Sequence, residues 1–328
     1  MNMEQFTKKQ PIDKLKDGDR IDDIFAVKIK KGVSQYKNGY FFHLLLTDSS
    51  GRNIDYKFWS DQNEANVRKL YESIKADSVV HLQGKFSSYM GTPQITTNAP
   101  DTINPLEKGQ YDDAEFIKKP KKEVNKMYED LLKIVATIND SSLKKLLLSI
   151  FGDATIKEKF KTHPGGIEIH HNWVGGLIQH TLEVVDYCEL SAKAYPAINR
   201  DLLLTGALLH DIGKLDELDV TSRIKGTKKG QMTGHIVLGS IFISNKMDEL
   251  EIGDDIKDKL LHIIVSHHGK NDFGSPKEPM FPEAVAIYYA DELSSKLAEI
   301  IEYIEDNKNG TEDDFKYNYK KGKNIFLR

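Results

Sequence analysis

A single cysteine, Cys188, stands among the 328 residues, so no internal disulfide can form and a thiolate-rich metal site is excluded. No apolar run approaches the roughly 20 residues that a membrane helix needs. The longest, around Leu202 to Leu209, is interrupted by Thr205 and Gly206. The first ten residues, MNMEQFTKKQ, lack the apolar core of a signal peptide. A cytoplasmic protein with no membrane partner is the simplest expectation. Positive charge is not in excess either. The formal net charge is −4, so any contact with nucleic acid must come from local basic clusters rather than from a polycationic chain.

The composition itself is that of a soluble globular protein. With 39% apolar and 29% charged residues, it has enough hydrophobic material to bury a core and too much for a disordered chain. The length suggests about two domains. Three basic clusters occur: Lys28, Lys30, Lys31 and Lys37; Lys118, Lys119, Lys121 and Lys122; and Arg223, Lys225, Lys228 and Lys229. Each by itself is better explained as a solvated face or loop.

The chain changes character along its length. Ile21 to Ile29, Tyr40 to Leu46 and Asn53 to Trp59 read as strands, with a turn at Asp48-Ser49-Ser50-Gly51. Asn63 to Ile74 has helical spacing at Val67, Leu70 and Ile74, and two more strands follow, Ser78 to Phe86 and Pro93 to Asn98. Three strands, a helix and two strands in under a hundred residues is the plan of a small Greek-key barrel, the OB-fold. Such a barrel presents strand aromatics on which bases stack. The candidates are Tyr40, Phe42, Tyr56, Phe58, Phe86 and Tyr89, with Phe42 and Phe58 expected on the surface and Lys28, Lys30 and Lys31 beside them to track phosphates. Alternate strand residues must point inward, so a one-residue error in register swaps the faces.

After residue 125 the pattern is helical: Val124 to Ile138, Ser142 to Phe151, Trp173 to Ala194, Asp201 to Asp211, His235 to Met247, Ile256 to Ser266 and Pro282 to Ile304. The expected organisation is multidomain α+β: an N-terminal segment over 1–17, an all-β OB-fold barrel over 18–105, a charged linker over 106–125, an all-α bundle over 126–306 and a polar tail over 307–328.

Histidine and aspartate recur at particular places in the helical half. His180 lies in an apolar helix opened by Gly175 and Gly176. His210 and Asp211 end the apolar helix that begins at Leu202. His235 opens a helix, His267 and His268 precede Gly269, and Asp291 follows Tyr288-Tyr289-Ala290 inside an apolar helix. A carboxylate there is unfavourable unless it is paired or bound to metal. Any one of these residues could be a hydrogen-bonded core group or part of a surface turn. Imidazoles and carboxylates drawn from several helices, without thiolate, suit a divalent transition metal.

The order His180, His210-Asp211, His235, His267 or His268, Asp291 resembles the HD metal-dependent phosphohydrolase superfamily. The run His170-His171-Asn172 through Gly175-Gly176-Leu177 to His180-Thr181, with Leu208 to Lys214, is similar to the YhaM family of bacterial 3′-to-5′ exoribonucleases, which carry an OB-fold ahead of the HD domain. The resemblance implies that His180, His210, Asp211 and Asp291 hold one divalent ion. It implies that His235 with one or both of His267 and His268 holds a second, with Asp211 bridging. Manganese is favoured, and iron, cobalt or magnesium are alternatives. Asp211 and Lys214 would be catalytic, Lys214 by contacting a phosphate oxygen, and His170 and His171 would support the ligands or touch substrate. The implied activity is hydrolysis of single-stranded RNA, and of single-stranded DNA as a further partner, to nucleoside monophosphates by activated water. Two other readings stay open: an HD enzyme acting on a small nucleotide, and a non-catalytic strand-binding protein with the helical half as scaffold.

Overall fold

The computed structural model describes residues 4–60, 63–118, 120, 122–167, 171–308 and 313–328. The chain divides into two compact units, Met1–Lys119 with Val220–Ile224, and Pro120–Asp219 with Lys225–Arg328.

The first unit is built on strands β1 (Arg20–Tyr36), β2 (Gly39–Thr47) and β3 (Asn53–Ser60), helix α1 (Glu64–Ser73), and strands β4 (Val79–Tyr89), β5 (Thr92–Thr97) and β6 (Ile103–Pro105). Asn63 starts α1 by accepting the Asn66 N–H on its side chain, as an N-cap should. Strand order is β1-β2-β3-β5-β4-β6, and β4 pairs back onto β1, which closes the barrel. The order of three strands, helix and two strands is the expected one. Strand β6, which extends β4, was not foreseen, because three residues carry no periodicity.

The barrel core settles the strand register. Phe42, Leu44 and Leu46 of β2 and Ile54 and Tyr56 of β3 all point inward and are at most 2% exposed. Phe42, expected on the surface, is therefore a core residue. Phe58 lies opposite Phe42 in the ladder, stacks on it with ring centroids 5.0 Å apart, and packs against the same core. The physical reason is the two-residue period: the even-numbered residues of β2 fill the barrel, so the outward positions fall to Phe41 and His43.

An N-terminal segment is fastened to this barrel by buried ions. The Lys8 ammonium lies 2.8 Å from Asp23 and 3.6 Å from Asp48, over the Phe25 ring. Backbone N–H groups of Lys9 and Gln10 donate to Asp23, and that of Ile12 donates to Asp48. Both carboxylates are thus satisfied although buried.

From residue 122 onward the elements are α2 (Val124–Ala136), α3 (Ser141–Phe151), α4 (Ala154–Thr162), α5 (Gly176–Ala194), α6 (Arg200–Leu209), α7 (Lys214–Glu217), strands β7 (Leu218–Val220) and β8 (Ile224–Gly226), then α8 (Lys228–Thr233), α9 (His235–Glu249), α10 (Asp254–Ser266) and α11 (Pro282–Asn307). Strands β9 (Phe315–Asn318) and β10 (Lys323–Phe326) follow as a hairpin, so the tail is ordered where it is described. Asp140, Asp153, Asn199 and Thr227 cap α3, α4, α6 and α8 with side-chain acceptors. The small strand pair β7–β8 interrupts an otherwise helical bundle. No helix among the described residues is long and apolar enough to cross a membrane.

Two glycines bring the bundle elements close enough to share a site. A Cβ on Gly206 of α6 would lie 2.7 Å from Ile287 of α11 and 2.9 Å from Ile263 of α10. A Cβ on Gly213, just before α7, would lie 2.0 Å from the His235 carbonyl oxygen at the start of α9. These contacts draw α6, α9, α10 and α11 together around the chain at residues 210 and 211.

Candidate metal centre

Each of the seven expected ligands sits at a helix end or on an inward helix face. His180 is on α5, His210 and Asp211 follow α6, His235 opens α9, His267 and His268 follow α10, and Asp291 is on α11. Their functional atoms form two sets. In the first, His180 Nε2 lies 3.0 Å from Asp291 Oδ1, 3.5 Å from Asp211 Oδ2 and 3.3 Å from His210 Nε2. His210 Nε2 is 3.3 Å from the same Asp211 oxygen. In the second, His235 Nε2 lies 3.5 Å and His267 Nε2 3.7 Å from Asp211 Oδ1. The ligand atoms of His235, His267 and His268 lie within 4.8 Å of one another. Asp211 therefore turns one oxygen to each set.

The other ring nitrogen of each histidine is engaged by the protein. The Nδ1 atoms of His210, His267 and His268 meet the carbonyls of Ala207, Ile264 and Phe273 at 2.8, 2.7 and 2.9 Å. His235 Nδ1 meets the Glu217 carboxylate at 3.1 Å, and His180 Nδ1 meets Ser294 Oγ at 3.0 Å. A carbonyl or carboxylate only accepts, so Nδ1 of His210, His235, His267 and His268 carries the proton and Nε2 keeps its lone pair for the interior. The result is a space faced by four imidazole lone pairs, the His180 ring and two carboxylates. Asp211 Oδ1, His235 Nε2 and His267 Nε2 are buried there without a hydrogen-bond donor. Acceptors facing acceptors at 3 to 4 Å call for a cation, and this donor set of nitrogen and oxygen fits divalent transition metals.

Electrostatics agree with that fit. Burial pushes the Asp211 carboxyl upward, but the Lys214 ammonium and the His210 imidazole more than offset it and hold it well below the usual range. Asp291 is likewise held down, against burial, by His180 and His210. Burial lowers His180, His267 and His268, which favours the neutral, ligating form. For His210 burial acts in the same direction, but Asp211 outweighs it and the pKa rises.

Lys214 is not a solvent-facing helix-end lysine. Its ammonium donates to Asp211 Oδ2 and to the Gly165 carbonyl, each at 2.6 Å. His171 is buried, with Nε2 3.0 Å from Glu183, while His170 lies outside the described residues. Three residues that sequence reasoning missed touch the ligands or their supports: Glu183, Ser294 and Glu217. The available signal was helical spacing, because Glu183 stands three residues after His180 and Ser294 three after Asp291.

The barrel surface differs from expectation in its residues. Phe41 and Trp59 stack with centroids 4.6 Å apart and planes at 24°, and Tyr36 meets Trp59 edge-on at 4.8 Å. All three are half-buried, on the outward side of the sheet. Tyr89 is 61% exposed, with the Lys57 ammonium 5.7 Å from its ring. Tyr40 and Phe58 pack against the core, and Tyr56 is fully buried. Lys30 donates to the Tyr71 and Ile74 carbonyls at the end of α1, so its charge answers that helix terminus rather than an open face. Lys31 pairs with Asp55 at 2.9 Å, and Lys28 is half-buried. The third basic cluster is largely paired: Arg223 with Asp77, Lys225 with Asp219 and Lys229 with Asp216. Lys119 and Lys121 of the second cluster lie outside the described residues.

Residues 177–296 match the HD domain family. That span holds all seven residues of the two sets, and an HD domain marks a metal-dependent phosphohydrolase. Solved structures similar to the chain include the HINb domain of p204, at 13% identity over 30% of this chain and 47% of that one, with a TM-score of 0.23. The second OB-fold domain of replication protein A from Methanococcus maripaludis is similar at 16% identity, over 30% of this chain and 96% of that one, with a TM-score of 0.25. A replication protein A heterotrimer bound to ssDNA is similar at 13% identity, over 31% and 72%, with a TM-score of 0.19. The chain thus spans about half the length of the first of these. Similarities at this level carry no argument, and the OB barrel stands on its own strand order and closure.

Proposed function

We propose that the protein is a metal-dependent 3′-to-5′ exoribonuclease that hydrolyses single-stranded RNA, and to a lesser extent single-stranded DNA, to nucleoside monophosphates. The observation that carries the phosphodiesterase reading is the placement of Asp211, one oxygen toward His180 and His210 and the other toward His235 and His267. His180, His210, Asp211 and Asp291 would hold one divalent ion, and His235, His267, His268 and the second Asp211 oxygen another. Bound there, such ions supply a nucleophilic water near neutral pH and charge to stabilise the phosphoryl oxygens.

The protein's own groups prepare that chemistry. The Nδ1 hydrogen bonds fix each ring so that only Nε2 faces inward. Lys214 keeps Asp211 ionised and places a positive charge at the rim of the carboxylate, within reach of an anionic phosphodiester. Burial of the site keeps these charges effective by lowering the local dielectric.

RNA as substrate and the direction of digestion rest on the resemblance of the His170–Thr181 and Leu208–Lys214 runs to the YhaM family. The barrel supports a polymeric substrate: Tyr36, Phe41, Trp59 and Tyr89 offer rings for bases, and Lys57 offers charge for the backbone. Carrying barrel and hydrolase on one chain raises the effective concentration of strand for repeated cleavage. Digestion of 5′-labelled RNA and DNA oligonucleotides with a panel of divalent metals tests the reading. A ladder shortening from the 3′ end, dependent on added metal and faster on RNA, is expected. Hydrolysis that survives chelation, or cleavage only of free nucleotides, overturns it.

A further inference from the structure

Helix α11 carries apolar residues on two sides, and the core of the second unit accounts for one of them. Ala284, Ile287 and Ala290 are buried in that core at three-residue spacing. Val285, Tyr289, Leu293, Leu297 and Ile301 recur every fourth residue on another side, and each is 39 to 61% exposed. Between residues 285 and 301 the remaining exposed position is Lys296. A surface helix of a soluble chain ordinarily turns charged and polar residues to water, whereas this one keeps an apolar row there. At 1.5 Å per residue the row is about 24 Å long.

The hairpin β9–β10 extends this surface. It is held to α11 by the Tyr303 hydroxyl, which donates to the Tyr317 carbonyl at 3.1 Å, and by the Lys321–Glu299 ion pair. Its rings Phe315, Tyr317, Tyr319 and Phe326 are 46 to 89% exposed. They pack in two pairs, Phe315 with Phe326 and Tyr317 with Tyr319, at centroid distances of 5.3 and 5.1 Å. With about 150–250 Å² on each ring side chain, row and hairpin together present roughly 800 Å² of apolar surface. That exceeds the roughly 300–600 Å² of the largest patch on an ordinary monomer and is close to what one partner contributes to a standard interface.

We propose that this face is the contact between two copies of the chain, with α11 packed antiparallel on α11 of its mate. A surface that meets itself across a two-fold axis must be self-complementary. A two-fold at Leu293 sets Val285 against Ile301 and Tyr289 against Leu297, so the row meets itself apolar on apolar. The same axis brings Lys296 of each copy within about 3 Å, along the helix direction, of Glu292 of the other, and keeps the two Lys296 residues about 9 Å apart in that direction. Unlike charges therefore flank the seam on both ends. The charge of α11 also argues against an anionic occupant. The helix holds seven acidic residues, Glu283 to Asp306, and one lysine, the reverse of what anionic lipid or nucleic acid attracts.

Sedimentation equilibrium of the full-length chain at micromolar concentrations tests the proposal. Twice the chain mass of 37.3 kDa is expected. Leu293→Arg sets like charges on the axis and should weaken self-association about 30-fold or more. Its circular dichroism and urea midpoint should match the wild type, because the side chain is half-exposed in the single chain. Lys296→Glu should weaken self-association about 2- to 30-fold through the two repeated charge pairs, and adding Glu292→Lys to the same chain should restore it. A wild type of single mass overturns the proposal, in favour of a lipid surface if that chain then binds phosphatidylglycerol vesicles. A dimer that Leu293→Arg leaves intact, or a double reversal that does not recover association, overturns the α11 pairing.

Discussion

Replacing Trp59 and Phe42 separately by alanine distinguishes a base-stacking surface from a barrel core. Trp59 lies outward and half-buried, stacked on Phe41 at 4.6 Å. Phe42, one residue away from Phe41, is fully buried among Leu44, Tyr56 and Val67. Stacking of one base on one ring is worth roughly 1–3 kcal/mol, so Trp59→Ala should weaken binding of a single-stranded oligonucleotide by about 5- to 150-fold. Its effect on stability should stay near the modest value of a surface aromatic pair, about 0.5–1.5 kcal/mol. Phe42→Ala removes a ring from a packed core and should destabilise by about 3–5 kcal/mol. Oligonucleotide affinity by fluorescence anisotropy, with urea unfolding on the same variants, separates the two. Unchanged affinity in both Trp59→Ala and Phe41→Ala would refute the assignment of the strand surface, whatever their stability.

Three further outcomes follow from the geometry. The Glu183 carboxyl, pushed up by burial but held down at about 2 by its bonds from His171, Gln179 and Ser294, lies below its unfolded value of 4.5. Its contribution, on the order of 3 kcal/mol, is present above pH 4.5 and lost as pH falls from there toward 2, so urea midpoints measured across that window should fall more steeply in wild type than in Glu183→Ala. Lys8→Met removes an ammonium and strands the Asp23 and Asp48 carboxylates in the barrel, which should destabilise the chain by about 3–5 kcal/mol in thermal or urea unfolding. The second ligand set holds three imidazoles to one carboxylate oxygen, so Mn2+ or Co2+ should support hydrolysis where Mg2+ at equal concentration supports much less; equal rates would argue against that set.

The sequence carried the strand order well because β2 and β3 alternate cleanly and Asn63 marks the start of α1. It did not carry the register. Tyr40-Phe41-Phe42 is aromatic at both parities, so hydrophobicity could not say whether Phe41 or Phe42 fills the barrel. The helices that bear His180 and Asp291 and lead into Asp211 were legible as apolar segments, whereas α4 was not, because its nine residues are mostly polar and charged and Phe160 is its one buried residue. The ligands stood out as ionisable groups in apolar surroundings. Their supports did not, because Glu183, Ser294 and Glu217 are ordinary polar residues until α5, α7, α9 and α11 are packed together. Lys30 and the Arg223–Lys229 cluster show the opposite failure: charge visible in the sequence is taken up by local partners that only the fold reveals.

The most direct measurement is the number of Mn2+ ions bound per chain, by equilibrium dialysis with elemental analysis, in the wild type, Asp291→Asn and His267→Ala. Two ions in the wild type, and one in each variant, are expected. No ion in the wild type, or a count that neither substitution changes, contradicts the claim that the two sets around Asp211 form a two-metal centre.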